Sequence, residues 1–152
     1  MSPTRRVLIA DVTVPFGAPP TTTFDYLVDP ENRPHWQSSL RRIEDLSPVG
    51  DRAGGTGTSW RDITLVPWVR PRLEVVECAA PLRWREIGRW WFVDASLNLA
   101  VSALPDGRTE VRARAYLTVP LILSASTLVL TMLAPFALRA DLDSAASIVG
   151  GY

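Results

Sequence analysis

Two carboxylates recur in one local pattern, each two residues after a tryptophan: Trp60-Arg61-Asp62 and Trp84-Arg85-Glu86. Residues two apart on a strand share a face, so Trp84 and Glu86 point one way and Arg83 and Arg85 the other. Two readings stay open. On the solvent face the charges simply pair across strands. Pointing inward beside the indoles, Asp62 and Glu86 would be raised in pKa by burial and would form an acid/base pair. His35 and Tyr116 complete the set of catalytic candidates. His35 is the only histidine; it follows Pro34 with no Ser or Cys arranged around it, and reads as a turn residue. Tyr116 falls with Arg112 and Arg114 on a polar strand face. Its place at the strand end suits hydrogen bonding to an oxygenated ligand at a cavity mouth.

Other chemistries fail on residue type. Cys78 is the single cysteine, which excludes an intrachain disulfide, and its apolar run Val75–Ala79 reads as a packed strand. One His and one Cys are too few ligands for a metal site, and no cofactor is expected. Gly54-Gly55-Thr56-Gly57 lacks the Lys-Ser/Thr ending of a phosphate loop and reads as a hairpin.

The elements that must position these groups follow from period-two alternation and turn residues. Strands are expected at Arg5–Val14, Arg41–Leu46, Thr58–Val66, Arg72–Cys78, Leu82–Ile87, Val93–Ala103 and Arg108–Leu117. Phe16–Pro20, Pro67 with Pro71, and Asp106-Gly107 supply the turns between some of them. In Val93–Ala103, Val93, Ala95, Leu97, Leu99 and Val101 share a side; in Arg108–Leu117, Thr109, Val111, Ala113, Ala115 and Leu117 do. An antiparallel sheet with one apolar and one polar face results, and a helix from about Leu121 to Ile148, kinked at Pro135, is its natural cover.

Thr23–Trp36 reads TFDYLVDPENRPHW. Phe24, Tyr26 and Leu27 give a short helix an apolar face. Asp29-Pro30 then stops it and caps another, which Pro34 ends almost at once, delivering Trp36. This stretch resembles the opening of the polyketide cyclase/dehydrase and lipid-transport family, of the START-like (SRPBCC, helix-grip) superfamily. The matching positions are Val14-Pro15, Phe24, Leu27, Asp29-Pro30-Glu31-Asn32 and Trp36. Gly57-Thr58, Pro81-Leu82, Asp106-Gly107-Arg108-Thr109 and Leu133-Ala134-Pro135 follow in order. The resemblance implies an α+β helix-grip fold over 1–152: a curved antiparallel sheet of about seven strands wrapped on a long C-terminal helix, with two short helices after the first strand.

It also implies a ligand cavity between sheet and helix. Small inward residues (Ala95, Ala113, Ala115) leave room for it, with Val93 and Leu97 beside them and Leu128, Met132 and Phe136 facing from the helix. Six tryptophans exceed the needs of a minimal core. Core and hairpin packing is the simpler account; the sharper one has Trp36, Trp60, Trp68 and Trp84 lining or gating the cavity. The implied function is binding or carriage of a small hydrophobic, lipid-like or polyketide-like molecule. The alternative is a polyketide cyclase/aromatase-like enzyme in the same cavity. A third reading has the chain touching a membrane or a second copy of itself through Trp90-Trp91-Phe92 and the apolar helix.

Composition narrows the partners. Sixteen basic and sixteen acidic residues balance, with a pI near 6.6, so nothing points to nucleic acid. All basic residues are Arg, which reads as the composition of a high-GC bacterium, and a cytoplasmic protein is the default. Residues 115–138 carry no charge over 24 positions, above the roughly 20 that span a bilayer. Pro120, Pro135 and five hydroxyl residues interrupt them, so a buried helix is preferred to a membrane span.

Overall fold

Alternation is realised strand by strand in a computed structural model, which describes residues 3–150. In β1 (Thr4–Phe16), Ala10, Val12, Val14 and Phe16 are buried and their neighbours are not. β2 (Leu40–Ser47), β3 (Ser59–Thr64), β4 (Arg72–Ala79), β5 (Arg83–Trp90), β6 (Val93–Ala103) and β7 (Thr109–Pro120) complete one seven-stranded sheet. Its order is β1-β7-β6-β5-β4-β3-β2, antiparallel at every step. The first and last strands therefore lie side by side. Most strands run one to three residues longer than alternation suggests, because ladder hydrogen bonds continue where the hydrophobic pattern has faded.

Two helices, α1 (Pro20–Val28) and α2 (Arg33–Trp36), sit between β1 and β2, separated by a 3-10 turn at Pro30–Asn32. Asp29 caps that turn through Glu31 N at 3.0 Å, and Asn32 Nδ2 donates to Tyr26 O at 3.1 Å. Pro34 does not end α2 as expected. It lies in the first turn, where a missing N–H costs nothing. α2 stops at Trp36.

The C-terminal segment divides into a 3-10 stretch at Leu121–Thr127 and α3 (Leu128–Gly150). Only the second half of α3 enters the core: Leu142, Ala145 and Ala146 are buried with Phe24, Leu27 and Val28 of α1, Trp36, and the inner face of β1 and β7. Arg139 donates to Thr13 O and Asp141 accepts from Ser38 N, tying this half to β1 and to the α2–β2 link. The expectation of a helix buried on most sides fails for the first half. Leu128, Met132 and Phe136 are 66%, 70% and 76% exposed. An uncharged run shows that a segment avoids charge, and says nothing of which part is covered. No helix is long and apolar enough to cross a membrane among the described residues.

The two ends of the sheet differ. At one end the turns hold Asp51, Arg52, Asp106 and Arg108 among glycines. There Gly54, at φ +75, packs so closely that an added Cβ would lie 2.1 Å from Val28 O. At the other end, residues 63–69, 90–93 and 119–127 carry no charge at all.

Candidate functional site

A cavity of about 420 Å³ opens on the inner face of the sheet. Its walls are Leu73 of β4, Gly88 and Trp90 of β5, Val93, Ala95 and Leu97 of β6, and Ala115 of β7. Ile9 joins them from β1, where the register with β7 shifts between Leu8 and Ala10; the bulge turns an otherwise alternate residue to the lining. Gln37 and Ser39 border it from the α2–β2 link, and Asp62 and Glu86 from β3 and β5. No residue of α3 lines it, so the cavity belongs to the sheet and the α2–β2 link.

Asp62 and Glu86 take the inward branch of the two readings: they are 7% and 4% exposed. What makes this tolerable is Arg33, itself 3% exposed. Its Nη1 donates to Glu86 Oε2 at 2.9 Å, and its Nη2 lies 3.5 Å from Asp62 Oδ2. The guanidinium also sits over the Trp60 ring at 5.0 Å, and Trp60 Nε1 donates to Asp62 Oδ1 at 2.9 Å. Both Asp62 oxygens are thus engaged, and one of Glu86. The Asp29-capped turn has its purpose here: it starts α2 so that Arg33 and Trp36, three apart on one helical face, both turn inward.

The cluster holds one cation and two acids. Burial pushes Glu86 up, and the charge of Asp62 adds to that; Arg33 opposes both, and the balance is a pKa of about 7. Burial pulls Arg33 down, but the two carboxylates outweigh it and the net direction is upward. At neutral pH Glu86 is therefore poised between its acid and carboxylate forms, next to an apolar cavity. Such a group can donate a hydrogen bond, accept one, or transfer a proton.

The remaining candidates are dispersed. Trp60, Trp84 and Trp36 are buried in the core, and Ala113 is buried under it. Trp84 Nε1 donates to Gly54 O at 2.9 Å, so the two Trp-x-acid patterns end differently: only the first indole holds its own carboxylate. Trp68 is 69% exposed on the β3–β4 loop, where its carbonyl accepts from Trp90 Nε1. Leu128, Met132 and Phe136 stand in the open, away from the cavity, because α3 packs through its other half. His35 is exposed on α2. Tyr116 borders the cavity, yet its ring is covered by Arg6 at 3.8 Å on the outer face. The Cys78 thiol is pushed up by burial and has no lowered pKa to make it reactive. No group of metal-ligating side chains occurs among the described residues. Sequence reasoning missed Arg33. The signal was available: two inward acids require a buried cation, and Arg33 is the one arginine within Thr23–Trp36.

Residues 8–147 match the sequence profile of a family described as polyketide cyclase/dehydrase and lipid transport. No curated protein matches the chain. Among solved structures, Ara h 8.0201 superposes with a TM-score of 0.70 at 11% identity, covering 99% of this chain and 100% of that one. Truncated norcoclaurine synthase from Thalictrum flavum gives 0.69 at 12% identity over 99% and 96%. The DR_A0006 protein of Deinococcus radiodurans gives 0.63 at 18% over 94% and 98%. At these identities the likeness is one of fold, and it agrees with the helix-grip arrangement.

Proposed function

The chain belongs to the polyketide cyclase/dehydrase and lipid-transport family, and we propose that it binds a small, mostly apolar molecule bearing one hydroxyl or carbonyl oxygen. The observation behind this is the cavity itself. Its 420 Å³ falls within the roughly 300–1,000 Å³ of small-molecule sites, which pair apolar walls with a few polar anchors. Leu73, Val93, Leu97 and Ala115 supply the walls, and Glu86 the anchor. The oxygen of a ligand would meet Glu86 on the side not taken by Arg33. Naphthol, an aromatic with one hydroxyl, is a suitable probe by calorimetry. Ala95→Phe fills the cavity from its wall and should weaken naphthol at least about tenfold, or 1.4 kcal/mol, with the melting temperature kept. Unchanged affinity would show that the probe binds elsewhere. Native mass spectrometry of the purified protein looks directly for a retained molecule.

The pKa of Glu86 favours a second reading, a cyclase-like enzyme. A carboxyl poised at about 7 is matched to proton transfer at neutral pH. It would take a proton from a carbon next to a ketone of a poly-ketone chain held folded in the cavity. The carbanion adds to a second carbonyl, whose alkoxide takes the proton back; the same carbon then gives up a second proton and the hydroxyl departs as water. Glu86→Gln separates the readings: it abolishes turnover if the enzyme reading holds, and leaves naphthol binding within a few-fold if the protein only carries.

A further inference from the structure

The apolar end of the sheet is built from three segments that the topology brings together. Trp90 Nε1 bonds to Trp68 O, placing the β5–β6 hairpin against the β3–β4 loop. Asp94, four residues past Trp90, pairs with Thr118 of β7, three residues before the 3-10 stretch begins. At this end the side chains are in solvent: Trp68 is 69% exposed, Trp91 79% and Ile122 88%. Apolar exposure on this scale marks an interaction surface.

Charge indicates what the surface meets. The cross-strand register puts Arg6, Thr118, Asp94, Arg89, Arg72 and Arg61 in one continuous row across β1, β7, β6, β5, β4 and β3. Directly opposed residues share a face, so four arginines band the outer side of the sheet just behind the apolar tips. Two acids interrupt the band: Asp94 lies 3.9 Å from Arg89, and Glu44 of β2 continues the row opposite Arg61, which is also 4.0 Å from Asp45. The tip segments hold no carboxylate. Aromatic and aliphatic tips backed by arginine match a bilayer boundary, where side chains enter the acyl region and guanidinium groups reach anionic headgroups. A second copy of the chain fits less well, because joining two such ends would bring two arginine bands together.

We propose that this end docks on the surface of an anionic lipid bilayer. It lies on the membrane and does not span it. Trp90 and Val93 border the cavity and belong to the docking end, as does Pro71 at the close of the β3–β4 loop. A ligand could then pass between bilayer and cavity at that rim. The passage rests on the ligand-binding reading above; the docking does not.

Sedimentation of the full chain with phosphatidylcholine vesicles, with and without phosphatidylglycerol, tests it. Binding should require phosphatidylglycerol and weaken as salt rises. Replacing Arg72→Gln and Arg89→Gln should lower affinity about fivefold for each arginine. Phe92→Ser with Ile122→Ser should abolish binding while leaving naphthol titration, done without vesicles, unchanged. That titration separates failure of docking from failure of the cavity reading. No binding to phosphatidylglycerol vesicles would overturn the proposal, as would binding indifferent to phosphatidylglycerol, salt and both arginines. Sedimentation velocity showing a dimer that Phe92→Ser with Ile122→Ser dissolves would assign the surface to a second copy instead.

Discussion

The cavity base buries three ionisable side chains, Arg33, Asp62 and Glu86, while the first half of α3 leaves six large apolar ones exposed, from Leu128 to Phe136. Both invert the ordinary partition of a folded chain, but their costs are met differently. The buried charges are paired within the chain, through a fork of guanidinium to two carboxylates. The exposed hydrophobes are left uncovered by the described residues. Inverted polarity thus takes two forms in this molecule: charges paired in the interior, and apolar side chains left in solvent.

Removing the shared cation breaks the comparison at its strongest point. Arg33→Met leaves Asp62 and Glu86 buried without compensation and should cost about 3–5 kcal/mol in chemical denaturation at neutral pH. The loss should shrink towards acid pH as Glu86 takes its proton. The two halves of α3 should differ nearly as much. Leu142, fully buried, should lose about 2–5 kcal/mol on truncation to Ala, whereas Leu133→Ala, at a position 60% exposed, should stay within about 0.5 kcal/mol. Equal losses would mean that the first half is covered after all.

A subtler effect is the pH profile. Glu86 has a folded pKa of about 7 against 4.5 unfolded, so below 4.5 it is protonated in both states and costs nothing. Between these values only the folded chain keeps the proton, and stability falls as pH rises, by at most about 3 kcal/mol. Glu86→Gln should flatten that slope; an unaltered slope would place the titration elsewhere.

Much of this was legible in the residues, unevenly. The strands declared themselves because each has one wet face, and β6 was bounded correctly by alternation alone. Asp62 and Glu86 stood out through their spacing from Trp60 and Trp84, yet spacing could not say which face was inward, since strands with mixed faces read alike from both sides. Arg33 was hidden because its partners are 29 and 53 residues away, and only tertiary pairing shows that its charge is enclosed. The position of α3 was least legible. A helix apolar all round carries no stripe to indicate where its neighbour lies, so Leu128, Met132 and Phe136 were assigned to a cavity they do not reach.

At Gly54 three parts of the chain far apart in sequence converge: its carbonyl takes the indole of Trp84, and its Cα lies against the backbone of Val28. Gly57 N, bonded to Val75 O, and Thr58 N, bonded to Gly55 O, fix the following turn. Closing such a junction gathers long segments of chain, with the entropy cost that entails. Once closed, it couples the first helix, the glycine loop and the fifth strand into one cooperative unit. A stretch whose composition suggests slack is then among the last to open to solvent exchange.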